Sequence, residues 1–266
     1  TVFVCTICFQ MKHRPRTSFT SSQLVRLLAD LANENAAESK KSFAERLGQW
    51  LDLNDAIALS GVVNARVGSS AEAQPRAPSE ATEGLQEEVG SVRAALVDSI
   101  TTDGVFKAGK VRIKLPTPAP GAPIETAASY LPYRRYYLAH QREMDASIGL
   151  VRTKVQKALA NHSPALHQLA ALDAVLDKAM GERQRDLLLT IPLLLEKRFD
   201  QLRQTHEQTL AARQQADDPE LWLQPGGWLA AFCRDMQSVL LAELEVRLQP
   251  VMGLIEAFSK KVTLSQ

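Results

Sequence analysis

The chain has 266 residues, 45% hydrophobic and 23% charged, a balance that supports a sizeable core and excludes a disordered or low-complexity chain. Lys and Arg number 31 against 30 Asp and Glu, a net charge of +1, which excludes any global attraction to nucleic acid or to an anionic membrane and leaves only local patches for such binding. Aromatic residues make up 6%, so the core must be mostly Leu, Ala and Val.

Thr1 to Phe9 is apolar, but its cations Lys12, His13, Arg14 and Arg16 follow the run, the reverse of a secretory signal. Met11 opens a polar, basic stretch and reads as the natural start, with residues 1–10 as upstream sequence. Residues 1–16 are expected to be disordered or foreign to the natural protein. Cys5 and Cys8 form a C-x-x-C, yet no second pair follows to complete a zinc site. Cys233, at helical spacing with Leu229, Phe232 and Met236, reads as a small core residue, and this cysteine usage fits a reducing compartment and a cytoplasmic protein.

Residues 17–67 read as a small three-helix module. Thr20-Ser21-Ser22-Gln23 has the capping-box form, and Leu24, Leu27, Leu28 and Leu31 make one apolar stripe after it. Ser42 and Glu45 open a second helix that buries Phe43, Leu47, Trp50 and Leu51; Asn54 or Asp55 caps a third with Ile57, Leu59, Val62 and Val63. Residues 68–84, rich in Ser, Ala, Glu, Pro and Gly, read as a flexible linker. A helix over residues 85–103 turns Val89, Val92, Leu96 and Ile100 inward. Residues 104–123 alternate basic and apolar side chains and then carry Pro116, Pro118, Pro120 and Pro123. They predict an extended arm laid over the bundle and anchored by Ile113 and Leu115.

Residues 124–262 are written in helical period. Met144, Ile148, Val151, Val155 and Leu159 form one stripe. Ser163 and Pro164 end that helix and begin the next, with Ser163 as N-cap. Leu166, Leu169, Leu172, Leu176, Met180, Leu187, Ile191, Leu195, Phe199 and Leu202 continue the apolar face, and Pro192 must kink or divide the helix there. A last helix from Trp228 buries Phe232, Met236, Leu240, Leu244, Leu248 and Leu254, with a second kink at Pro250. Rods this long bury their stripes only against one another, so the fold class is all-α. The small module joins a long antiparallel helical bundle, a hairpin with coiled-coil packing and an added third helix. The longest apolar run of the body, Leu187 to Leu195, has about nine residues, far short of a bilayer span.

Two patches could contact a partner. Tyr133-Arg134-Arg135-Tyr136-Tyr137 mixes rings that stack on bases with cations that pair with phosphate; the same block reads as a helix start whose rings pack inward and whose arginines sit in water or pair with Glu. Lys107, Lys110, Arg112 and Lys114 form the densest cationic stretch, which joins Arg134 and Arg135 on one surface if the Pro-rich turn folds back, or serves as solubilising charge. No catalytic, metal or cofactor set is legible. The histidines His13, His140, His162, His167 and His206 lack metal-ligand spacing, His206 reads as solvated, no Gly-rich phosphate loop occurs, and Glu243 with Glu245 looks like exposed helical carboxylate. Trp222 and Trp228, flanking Gln224-Pro225-Gly226-Gly227, could form a binding pocket at this corner; more often such a pair caps one end of a bundle, and they read as that cap.

The stretches Thr17 to Leu31, Ser42 to Leu51 and Asp55 to Ser60, with Arg112 to Pro116, Tyr133 to Met144, Leu169 to Asp173 and Lys197 to Phe199, resemble a proteobacterial family of unknown function, domain of unknown function 3348. The resemblance implies a cytosolic accessory of an envelope-spanning complex with a proton-channel-like subunit and a cell-wall-binding protein. It transfers no site residues. The expectation is therefore a non-enzymatic helical interaction protein with protein partners, needing no cofactor and not inserting into a membrane. The alternative is a nucleic-acid-binding accessory using Lys110, Arg112, Lys114, Tyr133, Arg134 and Arg135.

Overall fold

The computed structural model describes residues 22–32, 49–65, 78–102, 113–119 and 123–263, and every regular element among them is helical. Helix α1 is Gln23–Ala32 and α2 is Leu53–Asn64. Helix α3 is Pro78–Thr101, α4 is Ile124–Ala127 and α5 is Leu131–Ala160. Helix α6 is Pro164–Leu188, α7 is Ile191–Arg213 and α8 is Trp228–Thr263, with one 3-10 turn at Pro219–Leu221 before α8. No helix of the described residues is long and apolar enough to cross a membrane.

The core lies along α5. Its stripe Met144, Ile148, Val151, Val155 and Leu159 is buried, as the three- and four-residue spacing requires. Helix α8 runs parallel to it, with Tyr133 against Phe232 at one end (5.6 Å between ring centroids) and His162 against Phe258 at the other (5.0 Å). Helix α3 is antiparallel to both: the Gln237 amide donates to the Ile100 carbonyl, Arg93 pairs with Glu245, and Gln86 bonds Ser259. Helix α6 returns beside α5 after the turn at Ser163, whose hydroxyl accepts from the Leu166 amide at 3.4 Å. Phe232, Met236, Leu240, Leu244, Leu248 and Leu254 of α8 are all buried.

Pro192 divides the helix. The Leu188 carbonyl would accept from the amide of residue 192, and proline has none. The chain turns through Leu189 and Thr190, and α7 starts with Pro192 in its first turn. The turn also shifts the phase of the stripe: Leu188, Ile191, Leu195 and Phe199 face inward, while Leu187, expected in the core, is exposed with Leu189 and Leu193. At Pro250 the outcome differs, since α8 continues past it as one helix.

Several boundaries differ from the sequence expectation. Helix α3 begins at Pro78, inside the segment read as linker, because proline suits a first helical turn and Ser79, Glu80 and Ala81 continue it readily. The cap of α2 is Asp52 and not Asn54 or Asp55. Asp52 is extended, its carboxylate accepts from the Asp55 amide at 2.7 Å, and Asp55 reaches back to the Asp52 amide. Helix α1 packs on α7 and α8, and α2 packs on α6, so each short helix lies on a long one. The expected cap at Thr20 and most of the second helix lie outside the described residues. In the arm, Ile113 and Leu115 pack half-buried against the core and Lys114 is exposed.

Candidate functional site

Three arrangements hold the chemistry-bearing side chains. The first is a polar centre inside the bundle. Glu243 of α8 is fully buried, which the sequence reading missed by taking it for a solvated carboxylate. Tyr137 donates to it at 2.5 Å, Gln141 at 2.9 Å, and Arg247, one turn along α8, through Nε at 2.8 Å. Arg247 also pairs with Asp145. The amide of Gln141 reaches the Leu188 carbonyl at 3.2 Å, so it serves the acceptor stranded by Pro192. Burial, with the Glu243 charge and its hydrogen bond, pushes the Tyr137 hydroxyl well above its ordinary range. Every polar group of this centre is committed to another, the condition under which buried charge is tolerated. The signal was present in the sequence: Glu243 and Arg247 fall three residues after Leu240 and Leu244, on the apolar face.

Next to it, His140 is buried against the edge of Tyr136, at 4.5 Å between ring centroids. Its Nε2 has no protein partner, and Nδ1 lies 3.8 Å from Glu143, which Ser99 of α3 bonds at 2.8 Å. Burial lowers the His140 pKa to about 4, opposed in part by Glu143, so the imidazole is neutral at ordinary pH.

The second arrangement is the aromatic end. Tyr130, Tyr133, Phe199, Phe232, Trp228 and Trp222 pack ring against ring, most at steep angles. Trp222 and Trp228 are both buried there. Asp217 fastens the connection between α7 and α8, accepting from the Trp222 indole at 2.8 Å and bonding His206 Nε2 at 2.8 Å. His206 is therefore a half-buried, bonded residue and not the solvated one its neighbours predicted. Cys233 is half-buried beside this cluster.

The third is the outer face at the α6–α7 break. Leu131, Leu187, Leu189 and Leu193 are each more than half exposed. Tyr130 Oη donates to the Pro192 carbonyl at 2.6 Å, which seats the start of α5 against the break. Arg134 and Arg135 are exposed, and no carboxylate of the described residues pairs with them.

Of the residues expected to contact a partner, Arg134 and Arg135 are exposed near the start of α5. Tyr133 is corrected: it is buried against Phe199 and Phe232 and offers no ring face, because its position on α5 points at the core. Tyr136 and Tyr137 are buried likewise. Lys114 is exposed, and Lys110 and Arg112 lie outside the described residues. Among the described residues no group of three or more His, Cys, Asp or Glu is placed to hold a metal ion.

No curated protein and no solved structure matches the chain. A family model described as protein of unknown function (DUF3348) matches residues 10–260, which spans α1 through nearly all of α8 together with the polar centre, the aromatic end and the leucine face. The chain belongs to that family.

Proposed function

We propose that this protein is a non-enzymatic helical interaction protein that docks a protein partner through the face at the α6–α7 break. One observation carries the reading: Leu187, Leu189 and Leu193 stand out into solvent while Leu188, Ile191 and Leu195 of the same apolar run are in the core. Large leucines exposed close together in the chain suit a contact surface. Tyr137, Glu243 and Arg247 of the interior are bound to one another and serve the packing of the bundle. The finer reading, which rests on the family resemblance, places the protein in the cytoplasm as an accessory of a membrane complex with a proton-channel-like subunit.

Affinity purification of the full chain from its native host tests this, comparing wild type with a Leu189→Glu, Leu193→Glu variant after nuclease treatment. The expected result is one or more protein partners retained by wild type and lost from the variant. Partners retained equally by both remove this face from the reading. Nuclease-sensitive material in place of protein favours the nucleic-acid reading.

A further inference from the structure

We infer that the partner presents an acidic amphipathic helix, seated along the seam between the outer flank of α5 and the α6–α7 break. This rests on the reading above that the face docks protein, and it adds the chemistry of what docks.

The flank is defined by spacing. Positions 131, 134, 138, 142, 145, 149, 152 and 156 step by three and four residues and so share one side of α5. At its far end this side meets α6: Arg152 bonds Asp173 at 2.9 and 2.7 Å and also pairs with Asp177, and Gln156 bonds Asp173 at 2.8 Å. Near its start α5 meets the break through the buried neighbours of this side, Gln141 bonding Leu188 and Tyr130 bonding Pro192. There the flank carries Leu131, Arg134, Leu138 and Arg142, and the break contributes Leu189 and Leu193. Two adjoining elements thus each carry exposed or half-exposed leucines, which the ridge of a third helix can cover.

Charge selects the occupant. Arg93, Arg152, Arg198 and Arg247 each have a carboxylate. Arg134, Arg135 and Arg142, exposed along the seam, have none among the described residues. The charge of Glu196 is felt at Tyr130 together with the opposite charge of Arg134. Exposed Lys197 follows Glu196. A helix with a leucine stripe and flanking Glu or Asp matches both features. Nucleic acid matches only the cations, because the tyrosines that could stack on bases are in the core.

The test measures binding to the full chain by fluorescence anisotropy, using three helical peptides with the same leucine stripe and flanks of Glu, Gln or Lys. The Glu peptide is expected to bind at least about tenfold more tightly than the Gln peptide. The Lys peptide is expected not to bind, and the preference should fade as salt rises from about 50 mM to 500 mM. Arg134→Gln, Arg135→Gln and Arg142→Gln together should abolish the preference and keep the weaker, leucine-dependent binding. Leu189→Glu with Leu193→Glu should abolish both, with the helical circular dichroism unchanged. Equal binding of the Glu and Gln peptides overturns the acidic partner and leaves the docking face standing. Failure of all three peptides overturns the helix. Loss of the Leu189, Leu193 effect on partners purified from the host overturns the face itself. Tighter binding of an oligonucleotide, or of anionic phospholipid vesicles, abolished by the arginine variant, overturns the proposal in favour of that ligand.

Discussion

Gln141 donates to the carbonyl of Leu188 across 3.2 Å, so a side chain of α5 repairs the gap that Pro192 opens between α6 and α7. The same amide holds Glu243 at 2.9 Å. Three helices therefore depend on one glutamine.

Replacing Gln141 by Leu keeps the volume and removes both bonds. The Leu188 carbonyl and one oxygen of Glu243 then stay buried without that donor, and each such loss costs about 1–3 kcal/mol. We expect urea unfolding to show a loss of about 3 kcal/mol. A loss under about 1 kcal/mol would show that the vacated acceptors find water.

Arg247→Leu strands Glu243 in the core, and a loss of about 3–5 kcal/mol is expected. Removing the charge on both sides, with Glu243→Leu added, should recover much of it, since no unpaired ion remains. A double variant less stable than Arg247→Leu alone would contradict this account.

His140 gives stability a pH dependence. Its pKa falls from 6.5 to about 4 on folding, because burial penalises the imidazolium. The unfolded chain thus takes the proton first as pH falls. Stability from this residue is complete above pH 6.5 and declines through the window from 6.5 to 4, by about 3 kcal/mol in all. His140→Leu should flatten the profile of unfolding midpoint against pH over that window. An unchanged slope would assign the dependence to other groups.

Gly227 precedes α8 in a turn that only glycine fits. A Cβ there would stand 2.1 Å from the Trp222 carbonyl oxygen, which accepts from the Ala230 amide and cannot give way without moving the backbone. Gly227→Ala is expected to cost about 3 kcal/mol, the upper part of the range for overpacking. Near-ultraviolet circular dichroism of the stacked Trp222 and Trp228 reports it directly, and an unaltered signal would contradict the expectation.

Much of the architecture is legible in residue spacing. The buried stripes of α5 and α8 follow from their apolar period, and the α5–α6 boundary follows from Ser163 and Pro164, because capping and helical phase are local properties. What the spacing did not show depends on contacts distant in sequence. Glu243 looks like any helical carboxylate until Tyr137 and Gln141, about a hundred residues away, close on it. His206 looks solvated until Asp217 folds back. Leu187 looks buried unless the turn at Leu189 and Thr190 is known to shift the phase. Arg134 and Arg135 were legible as exposed cations; the exposure of Leu187, Leu189 and Leu193 was hidden inside a run that reads as core.

The polar centre also fixes the axial alignment of the rods. Leucine stripes alone tolerate sliding, since each turn presents much the same surface to its neighbour. A slip of α8 by one turn, about 5.4 Å, would carry Glu243 out of reach of Tyr137 and Gln141 and leave Arg247 facing leucines. The bundle has one register in which its ions are answered.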